Sequence, residues 1–412
     1  MKTKGRNCMP RRRFRSFEDA PPWKQYRLGE ITSSYSGGTP SVGNEGYYNG
    51  DIPFIRSSEI NSDATELSLT LKGLENSSAK MVEIGDILYA LYGATSGEVG
   101  ISRINGAINQ AVLAIRPGNN FSSDFIMQWL RSKKQSIINN YLQGGQGNLS
   151  GAIIKNLVIT APSYEEQKLI GSFFGNLDSL ISVHQLKIDK LKKLKTAYLS
   201  EMFPAEGERE PKRRFKGFTD AWEQHRLGEV CSTFEYGLNA AAKEYDGENK
   251  YLRITDIDDE SRGFSQKELV SPDIDLSDKT NYLLSEGDIV FARTGASVGK
   301  TYIYKKEDGT VYFAGFLIRA KTKQAYDAEF IFQNTLTDKY NDFVRITSQR
   351  SGQPGVNAHE YGEYYFFVPK SKEEQSKIGH FLRGIDDLIS LHQRKLEKLK
   401  RLKAAFLNEL FV

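Results

Sequence analysis

Two cysteines in 412 residues, Cys8 and Cys231, stand far apart and without ligand spacing. That excludes a disulfide framework and a cysteine-built zinc site, and it points to a reducing compartment. The five histidines show no spacing with cysteine that would hold a metal. No run approaches the ~18–20 apolar residues of a membrane span. The opening MKTKGRNCMPRRRFRS has no apolar segment of a secretory signal. A cytoplasmic protein is expected. Catalytic signatures are lacking as well. There is no Asn-Pro-Pro-Tyr or Asp-Pro-Pro-Tyr of amino-methyltransferases, and no G-x-G-x-x-G after a strand. GASVGKT (Gly295–Thr301) looks like a phosphate-binding loop, but such a loop needs four residues between its glycines and this one has three. Its counterpart GATSGEV (Gly93–Val99) carries Glu98 where Lys300 would stand. A tight glycine turn joining two strands is the better reading.

What the chain does contain is one long helical pattern, twice. Glu165–Phe203 aligns with Glu373–Phe411 without a gap at an offset of 208, and more than half of the positions are identical. Neither copy has proline, or glycine beyond its first third. The first seam runs Ile170, Phe174, Leu177, Ile181, His184, Ile188, Leu191, Leu194, Tyr198, Met202, with Leu180 counted in it as well. The second runs Ile378, Leu382, Ile385, Ile389, His392, Leu396, Leu399, Leu402, Phe406, Leu410, with Leu388 counted in it as well. Steps of three and four alternate, as in a coiled coil. Two matching rods in one chain are expected to pair antiparallel. His184 and His392 fall at equivalent seam places and read as polar residues that fix register. The lysines from Lys187 to Lys195, and Lys395 to Lys403, form a basic face, read first as solvated.

The repeat extends beyond the rods. RRRFRSFEDAPPWKQYRLGEI (Arg11–Ile31) matches KRRFKGFTDAWEQHRLGEV (Lys212–Val230). The basic runs Arg11–Arg13 and Lys212–Arg214 leave two readings, phosphate contact or a linker docked by Phe14, Phe17, Trp23 and by Phe215, Phe218, Trp222; the second is favoured. Residues 1–26 form an arm, 27–162 a first block, 163–203 the first rod, 204–225 a linker, 226–369 a second block and 370–412 the second rod. Block one reads as short strands at Tyr47–Tyr48, Ile52–Arg56, Asp86–Leu91, Val99–Ile101 and Ala111–Ile115, with a helix near Asp124–Tyr141 and Trp129 in its core. Its end is a glycine-rich loop, a strand and a proline. Block two follows the same plan, with Glu329–Phe343 as the counterpart helix. The fold class is α+β: two pseudo-repeated blocks of mixed strands and short helices, separated by two long helices packed as an antiparallel coiled coil.

Between the shared anchors the blocks differ almost completely. A chain presenting two unlike faces on one framework suits a bipartite target, and duplex DNA is the obvious one. A net charge of +4 permits that partner without demanding it. Side chains on the unmatched loops are the candidate base readers. In block one these are Tyr92, Thr95, Ser96, Arg103, Gln143, Gln146 and Asn148; in block two, Arg293, Thr294, Ser297, Lys300, Arg350, Gln353 and Asn357. For each, the competing role is turn formation or core satisfaction. The rival reading of the whole chain is a coiled-coil scaffold holding two protein-binding domains, with no DNA.

These motifs together resemble the DNA-specificity subunit of type I restriction-modification systems. The resemblance rests on the RLGE boxes (Arg27–Glu30, Arg226–Glu229) and the Gly-Asp-Ile turns (Gly85–Ala90, Gly287–Ala292). It rests also on the Gly-Gln pairs (Gly145–Gln146, Gly352–Gln353) and the Glu-Glu-Gln rod openings after Pro162 and Pro369. It covers nearly the whole chain, departing at the start, where a basic leader containing Cys8 precedes the first arm. The resemblance implies that each block is a target recognition domain and that the rods set the gap between half-sites. It implies a subunit without chemistry of its own, assembled with two methyltransferase subunits carrying S-adenosylmethionine and with two restriction subunits using ATP and Mg. The target would be gapped, with one adenine in each half methylated at N6.

Overall fold

A short strand follows each RLGE box because the box makes a single helical turn and stops. In Arg27–Glu30 the Arg27 N–H donates to Glu30 Oε2 at 3.1 Å, and in Arg226–Glu229 the same bond is 2.9 Å. Leu28 and Leu227 are buried, and their N–H groups donate to Leu157 O and Tyr364 O, at 2.9 and 2.7 Å. The motif thus ties the start of each block to its end, where Lys24–Arg27 pairs antiparallel with Val158–Ala161 and Glu223–Arg226 with Tyr365–Val368. The repeated motif makes the same closure in both copies.

The computed structural model describes residues 8–141 and 148–412. It divides into two units. The first runs to Val183 and takes in Leu396–Val412; the second is His184–Lys395. Each unit therefore holds one block, part of each long helix and one arm.

In the first unit an antiparallel sheet is ordered Thr32–Ser36, Val112–Pro117, Ile87–Ala90, Val99–Ile101. A second sheet is built from Leu67–Leu69, Tyr48–Ile55, Gly106–Ile108 and Lys80–Val82. In the second unit the first sheet recurs in the same order as Cys231–Tyr236, Leu317–Thr322, Ile289–Ala292 and Thr301–Ile303. The second sheet does not recur whole. Its parallel pair persists as Lys250–Leu252 with Val311–Phe313, while Ala242–Glu244 pairs separately with Val270–Pro272. Ile87, Leu88, Tyr89, Ala90 and Ile289, Val290, Phe291, Ala292 are buried on both faces, which is why these strands read as unbroken apolar runs.

The helix Ser123–Tyr141 packs on the first sheet, with Phe125, Trp129 and Leu130 in the core. Its counterpart, expected as one helix over Glu329–Phe343, is two: Ala328–Asn334 and Asp338–Thr347. Hydroxyls break it. Thr335 Oγ1 donates to Phe332 O at 2.6 Å, Thr337 Oγ1 donates to Asn334 O at 2.7 Å, and Thr337 also caps the second piece.

The two long helices, Tyr164–Met202 and Lys372–Leu410, each have 39 residues, about 58 Å at ~1.5 Å per residue. In the first unit Phe173 meets Phe406 at 5.0 Å between ring centroids and Asp178 pairs with Lys403. In the second, Tyr198 meets Phe381 at 4.8 Å and Lys195 pairs with Asp386 at 2.6 Å. Partners ascend along one helix as they descend along the other, so the pairing is antiparallel. Ile170, Phe174, Ile188, Ile378, Leu382, Ile385, Ile389 and Leu396 are buried in this seam, each contributing roughly 1.5–3 kcal/mol. Leu177, Ile181, Leu191 and Leu399 are half-buried. Leu180 and Leu388 lie outside it, 48% and 46% exposed, as do Leu194 and Leu402. The true helix period of 3.6 carries these positions off a strict seam.

Candidate nucleic-acid interface

Each first sheet ends in a hairpin whose tip is the glycine turn. In the first unit, Gly97 N–H donates to Ala90 O at 2.9 Å and Ala90 N–H to Glu98 O at 2.9 Å. In the second, Gly299 N–H donates to Ala292 O at 2.9 Å and Ala292 N–H to Lys300 O at 2.8 Å. Gly97 and Gly299 have φ of 80° and 82°, a region that favours glycine. A Cβ on Gly299 would also lie 2.5 Å from Val344 Cγ1. The turn in GASVGKT is therefore packed against a helix, and Lys300 is paired with Asp259 at 2.5 Å.

Below the hairpin the Gly-Asp-Ile turn is anchored by charge. Asp86 pairs with Arg116 at 2.8 Å. Asp288 accepts from Ser285 N–H at 2.9 Å, with Arg319 at 3.5 Å. Burial lifts the Asp288 carboxyl above its usual range, against the pull of Ser285 N–H and Arg319.

The candidate readers divide by how they are held. In the first unit Ser96 Oγ donates to Leu91 O at 3.1 Å, and Thr95 O accepts from Glu98 N–H at 2.9 Å. Tyr92 packs partly against the core, where burial raises its hydroxyl's pKa. Arg103 and Asn148 are exposed. Gln143 and Gln146, with Gly145, lie outside the described residues. In the second unit Ser297 is buried. Thr294 Oγ1 donates to Pro354 O at 3.4 Å, and a Cβ on Gly295 would lie 2.9 Å from Gln353 Nε2. The Gly-Gln loop is thus folded onto the hairpin tip. Arg350 is bound by Glu360 and by the carbonyls of Thr347 and Gln349 at 2.8 and 2.9 Å. Asn357 caps the turn Ala358–Gly362, its side chain accepting from Glu360 N–H at 2.9 Å. Four of the seven second-block residues are therefore committed within the fold: Ser297, Lys300, Arg350 and Asn357.

Arg293 differs. Its guanidinium lies 5.1 Å from the Tyr236 ring centroid and 5.7 Å from that of Phe316. Tyr236 and Phe316 are 46% and 57% exposed. The pattern reading missed both rings, because a lone aromatic beside glycine (Gly237, Gly315) carries no periodicity to mark it as surface.

The basic arms are not free either. Arg13 forks onto Glu166 at 2.7 and 2.6 Å, and Arg214 onto Glu374 at 2.6 and 3.0 Å. Arg12 pairs with Glu409 at 2.8 Å and Arg213 with Glu201 at 2.6 Å. The buried glutamines that follow complete the rod openings. Gln167 Oε1 accepts from Ser122 N–H at 3.1 Å, and Gln375 Oε1 from Asp327 N–H at 2.9 Å. On the rods, Lys195 and Lys403 serve the helix pair, while Lys187, Lys190, Lys193, Lys395 and Lys398 are exposed. His184 and His392 meet with Nδ1 atoms 2.9 Å apart. Among the described residues no cluster of three or more side chains is arranged to hold a metal ion, and no helix is long and apolar enough to cross a membrane.

A family model described as the type I restriction modification DNA specificity domain matches twice, over residues 21–193 and 219–401. The type I restriction enzyme MjaVIII specificity subunit of Methanocaldococcus jannaschii is 23% identical over 94% of this chain and 91% of its own length. The MjaIX specificity subunit of the same organism is 25% identical over 67% of each chain. The crystal structure of a type I restriction-modification system S subunit from M. genitalium superposes with a TM-score of 0.72 at 16% identity, over 98% of this chain and 99% of that one.

Proposed function

The chain belongs to the type I restriction-modification DNA-specificity family, and on that premise we propose that it reads a gapped, two-part DNA target. Specificity subunits of these systems are non-catalytic, so the chemistry resides on partners. In this reading, residues 27–162 and 226–369 are the two target recognition domains. Each reads one half-site, and the paired rods fix the gap between halves. The chain directs two N6-adenine methyltransferase subunits and two restriction subunits to the site; S-adenosylmethionine, ATP and Mg belong to those partners.

One observation carries the reading. Two sheets of identical strand order end in glycine hairpins with the same backbone hydrogen bonds, yet the side chains around them differ. A duplicated framework with unlike surfaces is what two different half-sites require. Affinity comes from phosphate contacts and specificity from base edges. The partner surface is the outward side of the rods, where Leu180 and Val183 in one helix and Leu388 and Leu391 in the other are exposed at equivalent places. Two like partners need two like patches.

The test is binding of the assembled complex to random and to target duplexes across a salt series. The reading predicts that log Kd rises linearly with log salt for both, with the target duplex bound at least a thousandfold more tightly. Binding that ignores salt and duplex alike contradicts it.

A further inference from the structure

The second unit contains twelve arginines, from Arg209 to Arg394, and most are neutralised. Arg213, Arg214, Arg226, Arg253, Arg319, Arg345 and Arg350 each hold a carboxylate. Arg293 holds none among the described residues. Its Nε is buried without a hydrogen-bond partner, while its plane is held by two exposed rings. It opens on a cleft of about 650 Å³ shared with Asn239, Arg253 and Thr255. In that cleft Arg253 is answered by Asp256 at 2.8 Å, so Arg293 supplies the unanswered charge.

The register of the sheets identifies the equivalent places in the first unit. Arg293 N–H donates to Phe316 O at 3.0 Å, as Leu91 N–H donates to Ala111 O at 2.8 Å. Tyr236 lies opposite Ile318, as Ser36 lies opposite Leu113. Tyr236, Arg293 and Phe316 thus stand where the first unit has Ser36, Leu91 and Ala111. Leu91 and Ala111 are buried, 4% and 6% exposed. Three neighbouring positions on a shared framework thus differ together: the first unit buries two of them and leaves a serine exposed, and the second carries a cation flanked by two exposed rings.

We propose that Arg293, clamped between Tyr236 and Phe316, reads a guanine in the half-site of the second block. This rests on the DNA-reading function above and names the residue that gives that block one of its bases. The planar fork matches guanine O6 and N7, which both accept, and it finds no such pair on the other bases. Ring contacts on the guanidinium hold its plane and lower the ordering cost of a bidentate bond. A phosphate contact would need only the charge.

The experiment compares methylation motifs of the full chain, coexpressed with its methyltransferase, for wild type, Arg293→Leu and Arg293→Lys. Leucine is the residue that the first unit carries at this place, and lysine keeps the charge without the fork. Thermal unfolding of each variant, and binding of each assembled complex to the target duplex across a salt series, are measured alongside. The expected result is a motif with one half and the gap unchanged and a single G·C position in the other half relaxed. Discrimination at that position falls roughly 5- to 150-fold in both variants, and Arg293→Lys keeps the wild-type salt slope. An unchanged motif in both variants overturns the proposal. So does a uniform loss over all sites in Arg293→Leu, with the salt slope reduced by about one and rescued by lysine, which is the mark of a phosphate contact. A wild-type chain that yields no gapped motif fails earlier, at the function itself, and the proposal falls with it.

Discussion

Glu374→Ala is expected to destabilise the second unit by about 3 kcal/mol. Glu374 is 1% exposed and receives Arg214 Nε at 2.6 Å and Nη2 at 3.0 Å. That bond, ahead of the plain charge attraction, raises the guanidinium's pKa. Without the carboxylate, Arg214 keeps a single carbonyl, Asp220 O at 2.5 Å, and its place over the Trp222 ring at 6.0 Å. Removing one member of a buried pair costs about 3–5 kcal/mol. Arg214 retains 15% side-chain exposure, a route to water that sets the lower end. For a unit of this size each kcal/mol lowers Tm by roughly 2–4 °C, so a fall of about 6–12 °C is expected. Trp222 fluorescence during urea or thermal unfolding, in a chain whose Trp23 and Trp129 are replaced by Phe, reports this unit directly. The double variant Arg214→Met, Glu374→Leu leaves no orphan charge and should be more stable than Glu374→Ala alone. A Glu374→Ala chain within about 1 °C of wild type, or a double variant worse than the single, would refute the reasoning.

Leu180→Asp or Leu388→Asp should leave Tm nearly unchanged, since both side chains are exposed, within about 0.5 kcal/mol. Each should abolish copurification with the methyltransferase, and complexes that purify intact would contradict the docking surface. Gly299→Ala should cost more than Gly97→Ala, about 2–4 against about 1–2 kcal/mol by urea midpoint. Both glycines have positive φ, but only Gly299 would place a Cβ 2.5 Å from a packed Val344 methyl. The His392 pKa is lowered by burial first and then by His184, Lys187 and Lys395. With the folded pKa below the unfolded one, its contribution is complete above about pH 6.5 and declines as pH falls through that value. Circular-dichroism melts from pH 7.5 to 5.5 should show a falling Tm that His392→Gln flattens.

The repeat made the architecture readable. The rods, the hairpins and the closing strands appear twice, and a pattern met twice at one offset is hard to mistake. RLGE and Glu-Glu-Gln were visible as motifs, yet their roles were not. Their bonds run to Leu157, Tyr364, Arg13 and Arg214, which no local pattern connects to them. The break at Thr335–Thr337 escaped the helical period because two hydroxyls, not a proline or glycine, make it. Gly106–Ile108 is a three-residue strand, too short to alternate, and it is held between a parallel partner, Tyr48–Ile55, and an antiparallel one, Lys80–Val82. Leu180 and Leu388 were read by a seven-residue seam that the helix itself does not follow. At the candidate interface, residue type suggested Lys300, Arg350 and Asn357, and tertiary partners had already claimed them. Arg293 stood out only once Tyr236 and Phe316 were beside it.

The measurement that bears most directly on the central claim is a map of N6-methyladenine. The chain is expressed with its neighbouring methyltransferase in a host lacking adenine methylation, and the genome is read by single-molecule sequencing. The account predicts one gapped two-part motif, methylated on both strands, that disappears when this chain is omitted. Methylation that is unchanged without the chain would contradict it.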